Sequence, residues 1–97
     1  MKTLAEIKDT LTIHKKDLSQ KYFLKDIGIF GSYVKNTQTE TSDVDLLVDF
    51  EEVPTLFDVV GLRDELSDLL KIKVDLVMKN TLKPHIGKRI LEEVIPL

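Results

Sequence analysis

Leu4, Ile7, Leu11, His14 and Leu18 recur at alternating steps of three and four residues, which predicts an amphipathic helix over residues 2–20 with Lys and Asp turned outward. The period then changes. Asp26-Ile27-Gly28-Ile29-Phe30 reads as a short buried strand that delivers the chain to Gly31. Tyr33-Val34-Lys35 predicts a turn or one short helical segment, and the polar run from Asn36 to Ser42 a loop. From Ser42 to Phe50 a second strand is expected, whose pleat puts Asp43, Asp45, Leu47 and Asp49 on one face and Val44, Leu46 and Val48 on the other. After Glu51-Glu52, Thr55 and Asp58 have the spacing of a capping box, and Val59, Leu62, Leu66 and Leu69 carry a helix to about Leu70, with Lys71 at its dipole-favourable end. Lys73 to Met78 predicts a third strand with Asp75 on the face opposite Val74, Leu76 and Met78. Pro84 in a first turn, followed by Ile86, Ile90 and Val94, predicts a last helix from about Lys83 to Val94.

The order helix, strand, strand, helix, strand, helix implies an α+β fold: two layers, a mixed β-sheet with helices mainly on one face. The other sheet face would be left open for a ligand. A chain of 97 residues without repeat, linker or low-complexity segment is expected to form one domain, residues 1–97.

Composition narrows the function classes. Apolar residues at 42% and charged residues at 32% are ordinary for a soluble globular protein, and no stretch reads as a membrane span or an N-terminal signal, so a cytoplasmic protein is expected. Cysteine is absent, so any metal must be held by oxygen or histidine ligands. The formal charge of −3 argues against nucleic acid as a partner, because such binding depends on Lys and Arg replacing counterions. Lys79, Lys83, Lys88 and Arg89 form a local basic cluster that reads as a solvated helix face.

The candidate chemistry lies in Gly31-Ser32, ten further residues, then Asp43-Val44-Asp45. Transfer of a nucleotidyl group needs the triphosphate charge neutralised and the attacking and leaving oxygens held in line. Magnesium prefers hard oxygen ligands, and Asp43 and Asp45, two positions apart on one strand face, suit it. Asp75 is the candidate third carboxylate, to hold a second ion or take the proton of the attacking hydroxyl. Three carboxylates crowded together are costly without cations, which itself argues for metal. Gly31 lets backbone approach a phosphate, Ser32 can donate to it, and Lys35 can supply a point charge.

Taken singly, each has an ordinary explanation. A Gly-Ser pair is a common turn, two aspartates can be a solvated strand edge, and Asp75 alone can be a surface residue. Their combination, in order across strand ends, favours a site. Asp49, Glu51 and Glu52 read as a solvated strand exit, His14 and His85 as packing or surface residues, Tyr33 as packing beside the turn, and Leu47 as support for the site floor.

Gly31-Ser32-Tyr33 through Ser42-Asp43-Val44-Asp45-Leu46-Leu47-Val48-Asp49-Phe50 resembles the signature of the minimal nucleotidyltransferases of the polymerase-beta-like superfamily. Lys73-Val74-Asp75-Leu76-Val77 resembles the strand that supplies that family's third carboxylate. Many minimal members are similar to antitoxins paired with HEPN-domain ribonuclease toxins, and the resemblance implies transfer of AMP from ATP to a tyrosine of the toxin. It also implies that Gly31 and Ser32 hold phosphate, that Asp43 and Asp45 bind magnesium, and that Asp75 assists the acceptor hydroxyl. Two Mg2+ ions are expected, with Asp75 as a further ligand. Where Arg-Gly commonly follows the turn, this chain has Lys35-Asn36, which keeps the charge and loses the bidentate fork. Competing readings are a non-catalytic antitoxin that acts by binding alone, and a nucleotidyltransferase acting on a small molecule or RNA end.

Overall fold

In the computed structural model, which describes residues 2–97, Thr3 keeps an extended backbone and its hydroxyl accepts the Glu6 N–H at 3.3 Å, so helix α1 starts at Leu4 and runs to Tyr22. Strand β1 follows at Leu24–Phe30, a single helical turn α2 at Ser32–Lys35, strand β2 at Val44–Phe50 and helix α3 at Leu56–Leu70. Strand β3 spans Val74–Met78, a short 3-10 turn Lys79–Thr81, helix α4 Pro84–Glu93 and strand β4 Ile95–Pro96.

The strands form one mixed sheet in the order β3-β2-β1-β4. β1 is antiparallel to β2 and β4, whereas β2 and β3 are parallel. A parallel pair needs a crossover connection, and α3 supplies it. Ile7, Leu11 and Leu18 of α1 and Leu62, Leu66 and Leu70 of α3 are buried against Ile29, Val44, Leu46, Val48 and Val74 on one sheet face. Each such side chain contributes roughly 1.5–3 kcal/mol by leaving water. This is the two-layer α+β arrangement expected from the sequence.

Three details differ from expectation. β1 begins at Leu24 rather than Asp26, because the pairing with β2 shifts between Leu24 and Asp26 and the irregularity hides the alternation. β4 has too few residues to show a period, and its Pro96 is tolerated at a sheet edge. It pairs Gly28 with Pro96 and Ile29 with Ile95. A Cβ at Gly28 would lie 2.6 Å from Val94 Cγ2 and 3.1 Å from the Ile95 carbonyl oxygen, so glycine is what lets the C-terminal segment come this close. Finally, the second sheet face is not wholly open. α4 overhangs its β1 side, where Leu91 shares a cavity of about 220 Å³ with Gly28 and Leu47.

The α3 start is a full capping box. Thr55 Oγ1 accepts the Asp58 N–H at 3.2 Å, and the Thr55 N–H donates to Asp58 Oδ2 at 2.9 Å. Thr55→Ala is expected to cost about 1 kcal/mol and to lower Tm by about 4–8 °C for a chain this size, measured by thermal unfolding.

Candidate active site

Alternation along β2 sends Val44, Leu46 and Val48 into the core and leaves Asp45 on the opposite face. Asp43 falls just before the strand rather than within it. In the parallel ladder Asp45 is the register partner of Asp75, so their side chains project from adjacent strands toward the same face. On the other flank Asp45 is opposite Phe30, the last residue of β1, and the next residue is Gly31. Two strand pairings therefore bring residues 31, 45 and 75 together although 44 positions separate the first from the last.

The bend at Gly31 is a local necessity. Its φ of 83° and ψ of −151° lie in a region essentially reserved for glycine. A Cβ there would overlap Asp45 Oδ2 and stand 2.8 Å from Asp45 Cγ. The Gly31 carbonyl accepts the N–H groups of Val34 and Lys35, each at 3.1 Å, which winds Ser32–Lys35 into its single turn. Asn36 ends it in the left-handed region at φ 58°. Tyr33 points inward and is buried, as a packing residue. Burial pushes its phenol pKa up, with the nearby Asp43 charge adding to the effect.

The electrostatics record the crowding. Asp45 is pushed from the ordinary 3.8 to about 6, first by burial and then by the charges of Asp75, Asp43 and Glu93. Among the described residues no three His, Cys, Asp or Glu side chains are drawn together as a ready-made metal cage. The donor chemistry nonetheless fits a hard divalent cation: all the groups are carboxylates, and their mutual repulsion is what a cation would relieve.

Two residues near the site carried no functional reading in the sequence. Glu93, the last residue of α4, accepts the Gly31 N–H through Oε1 at 2.6 Å and pairs through Oε2 with Lys35 Nζ at 3.2 Å. Lys35 is thus engaged by a carboxylate. Arg89, one helical turn earlier, lines a cavity of about 180 Å³ together with Gly31, Lys35 and Glu93. The available signal for Glu93 was an acidic pair at a helix C-terminus, where the macrodipole disfavours negative charge. Asp49 is half-buried, and Glu51 and Glu52 are exposed at the strand exit.

Known proteins are similar to this chain in sequence and in fold. The sequence pattern of the family described as nucleotidyltransferase domain matches residues 11–97. The chain is 50% identical over 95 residues to the protein adenylyltransferase MntA of Thermococcus cleftensis, covering 98% of this chain and 96% of that one. Its fold is similar to a solved structure described as a candidate minimal nucleotidyltransferase, with a TM-score of 0.75, 34% identity and coverage of 96% of this chain and 90% of the other. The fold also resembles a structure of a tri-AMPylated Shewanella oneidensis HEPN toxin in complex with MNT antitoxin, with a TM-score of 0.68 over 93% of this chain and 70% of that one. At 20% identity that last likeness is one of fold.

Proposed function

Because the chain belongs to the nucleotidyltransferase domain family, we propose that it is an antitoxin enzyme that transfers AMP from ATP to a tyrosine hydroxyl of a HEPN-domain ribonuclease toxin in the cytoplasm, where ATP is available. The observation that carries this reading is the register of Asp45 with Asp75 beside the Gly31 bend. Relatives support the finer parts: MntA of T. cleftensis is named a protein adenylyltransferase, and the Shewanella complex holds an AMPylated toxin.

In this mechanism the Gly31 N–H and Ser32 hydroxyl donate to phosphate oxygens, and Lys35 places a positive charge against the triphosphate. Asp43, Asp45 and Asp75 would hold two magnesium ions, which neutralise the triphosphate and stabilise charge on the attacking and leaving oxygens. Asp75 is exposed at the strand end, where an incoming hydroxyl can reach it. Its carboxylate takes the proton of that hydroxyl as the oxygen attacks the α-phosphorus. The new P–O bond forms as the bond to the β-phosphate bridge breaks, and pyrophosphate leaves. No covalent intermediate with the protein is needed, so the work of the chain is positioning and charge.

The test is to incubate the protein with α-labelled ATP, magnesium and its HEPN partner, alongside the Asp45→Asn variant. Label on a partner tyrosine that is absent with the variant is the expected result. Protection of RNA from the partner without label in either reaction would replace this reading with occlusion by binding. Label on RNA and never on protein would redirect it to RNA ends.

A further inference from the structure

Of the three groups assigned above to the triphosphate, the Gly31 N–H and Lys35 are both engaged by one side chain. Glu93 places Oε1 on the Gly31 N–H at 2.6 Å and Oε2 beside Lys35 Nζ at 3.2 Å. Resting on the reading of Gly31 and Lys35 as triphosphate ligands, we propose that Glu93 is an internal competitor of the nucleotide, a carboxylate that holds the phosphate cradle in the nucleotide-free protein and is displaced when the triphosphate enters.

The chemistry of the contact supports this. A carboxylate presents two acceptor oxygens, as a phosphate edge does, and charge-assisted bonds of this kind are the stronger class. A phosphate that takes the Gly31 N–H and Lys35 must therefore remove both of Glu93's partners. The grip is also easily released. Glu93 contributes to the negative field on Asp45, it ends a helix whose dipole disfavours a carboxylate there, and its Lys35 partner is about half exposed, at 51%. Among the described residues, the contacts that offset these penalties are those with the Gly31 N–H and Lys35.

A second resting place lies nearby. Arg89 is four positions before Glu93, hence on the same face of α4, and lines the same 180 Å³ cavity. Arg89 has no ion-pair partner among the described residues. When phosphate takes the cradle, a rotation of Glu93 toward Arg89 keeps its charge paired. Glu93 thereby sets how tightly the site binds nucleotide and keeps the Gly31 bend and Lys35 in place until it arrives.

The experiment measures equilibrium binding of AMP-PNP with magnesium by calorimetry to wild type, Glu93→Gln, Glu93→Ala, Lys35→Ala, Ser32→Ala and the Lys35→Ala/Glu93→Ala double variant. The Gly31 amide proton is followed by NMR in the nucleotide-free proteins. Glu93→Ala is expected to bind about tenfold more tightly than wild type, with Glu93→Gln between the two. The Gly31 amide resonance should move upfield when Glu93 is truncated to Ala. Lys35→Ala should bind more weakly, and adding Glu93→Ala to it should recover less than the tenfold gain. Equal or weaker AMP-PNP binding by Glu93→Ala, with Lys35→Ala weakened, would overturn the competitor role and leave the cradle reading standing. An unmoved Gly31 amide would do the same. If Lys35→Ala and Ser32→Ala both bind AMP-PNP as wild type does, the cradle assignment fails and the competitor role falls with it.

Discussion

Asp45→Asn is expected to lower nucleotidyl transfer by a factor on the order of a thousand, above the 10–100-fold that loss of an outer-shell partner costs, while making the nucleotide-free protein more stable at neutral pH. The two effects share one cause. Asp45 lies between Asp43, Asp75 and Glu93, and burial and their charges push it to about 6 from 3.8. Between those values the folded protein binds more protons at this residue than the unfolded chain does. Stability is therefore fully present below about pH 3.8 and is lost as pH rises through about 6. With allowance for solvent screening, the ionised group costs on the order of 1 kcal/mol at pH 7. Asparagine carries no charge, so this slope disappears together with the proposed metal ligand. The measurement is Tm from pH 4 to 7.5 with and without magnesium, alongside transfer activity. Without magnesium, wild type should lose Tm relative to the variant as pH rises through 6, and magnesium should restore it only in wild type. Parallel Tm profiles for the two proteins would contradict the repulsion.

Gly31→Ala is expected to abolish activity by a different route, at least about a hundredfold, and to destabilise the fold by about 1–3 kcal/mol. The backbone at φ 83° and ψ −151° is a conformation that alanine avoids, and the added Cβ would overlap Asp45 Oδ2. If the bend holds, Asp45 must be pushed away from Asp75. If Asp45 holds, the bend must flip and carry the Gly31 N–H and Ser32 away from the position proposed for the phosphates. Neither response leaves both the carboxylates and the cradle in place. Steady-state transfer and thermal unfolding of the variant check this, and a variant within a few fold of wild-type rate with an unchanged Tm would show that the bend does not govern the site.

The comparison of Asp45 with Glu93 shows why one was legible in the sequence and the other was not. Asp45 stands in a strand whose alternation of Val44, Leu46 and Val48 with Asp45 and Leu47 assigns it to a face, and burial agrees with the assignment. Asp75 could be given a face by the same logic. Glu93 follows another acidic residue at a helix end, and nothing local marks it as different from Glu92. Its importance comes from a chain reversal: α4 ends beside Gly31, and β4 then pairs with β1. For Lys35 the sequence assigned a charge but could not show that a carboxylate already holds it.

By itself, then, the order of residues determined the helices and main strands, the face on which Asp45 and Asp75 lie, and the glycine-serine bend ahead of them. These follow from side-chain period, capping and backbone sterics, which act within a few residues. Tertiary structure alone decided that β3 lies parallel to β2 with Asp75 level with Asp45, and that a two-residue strand closes the other edge. It also brought the end of α4 against the Gly31 bend and Lys35. Those choices depend on which buried surfaces meet across the sheet, a free energy shared by residues far apart in the chain, so no local pattern encodes them.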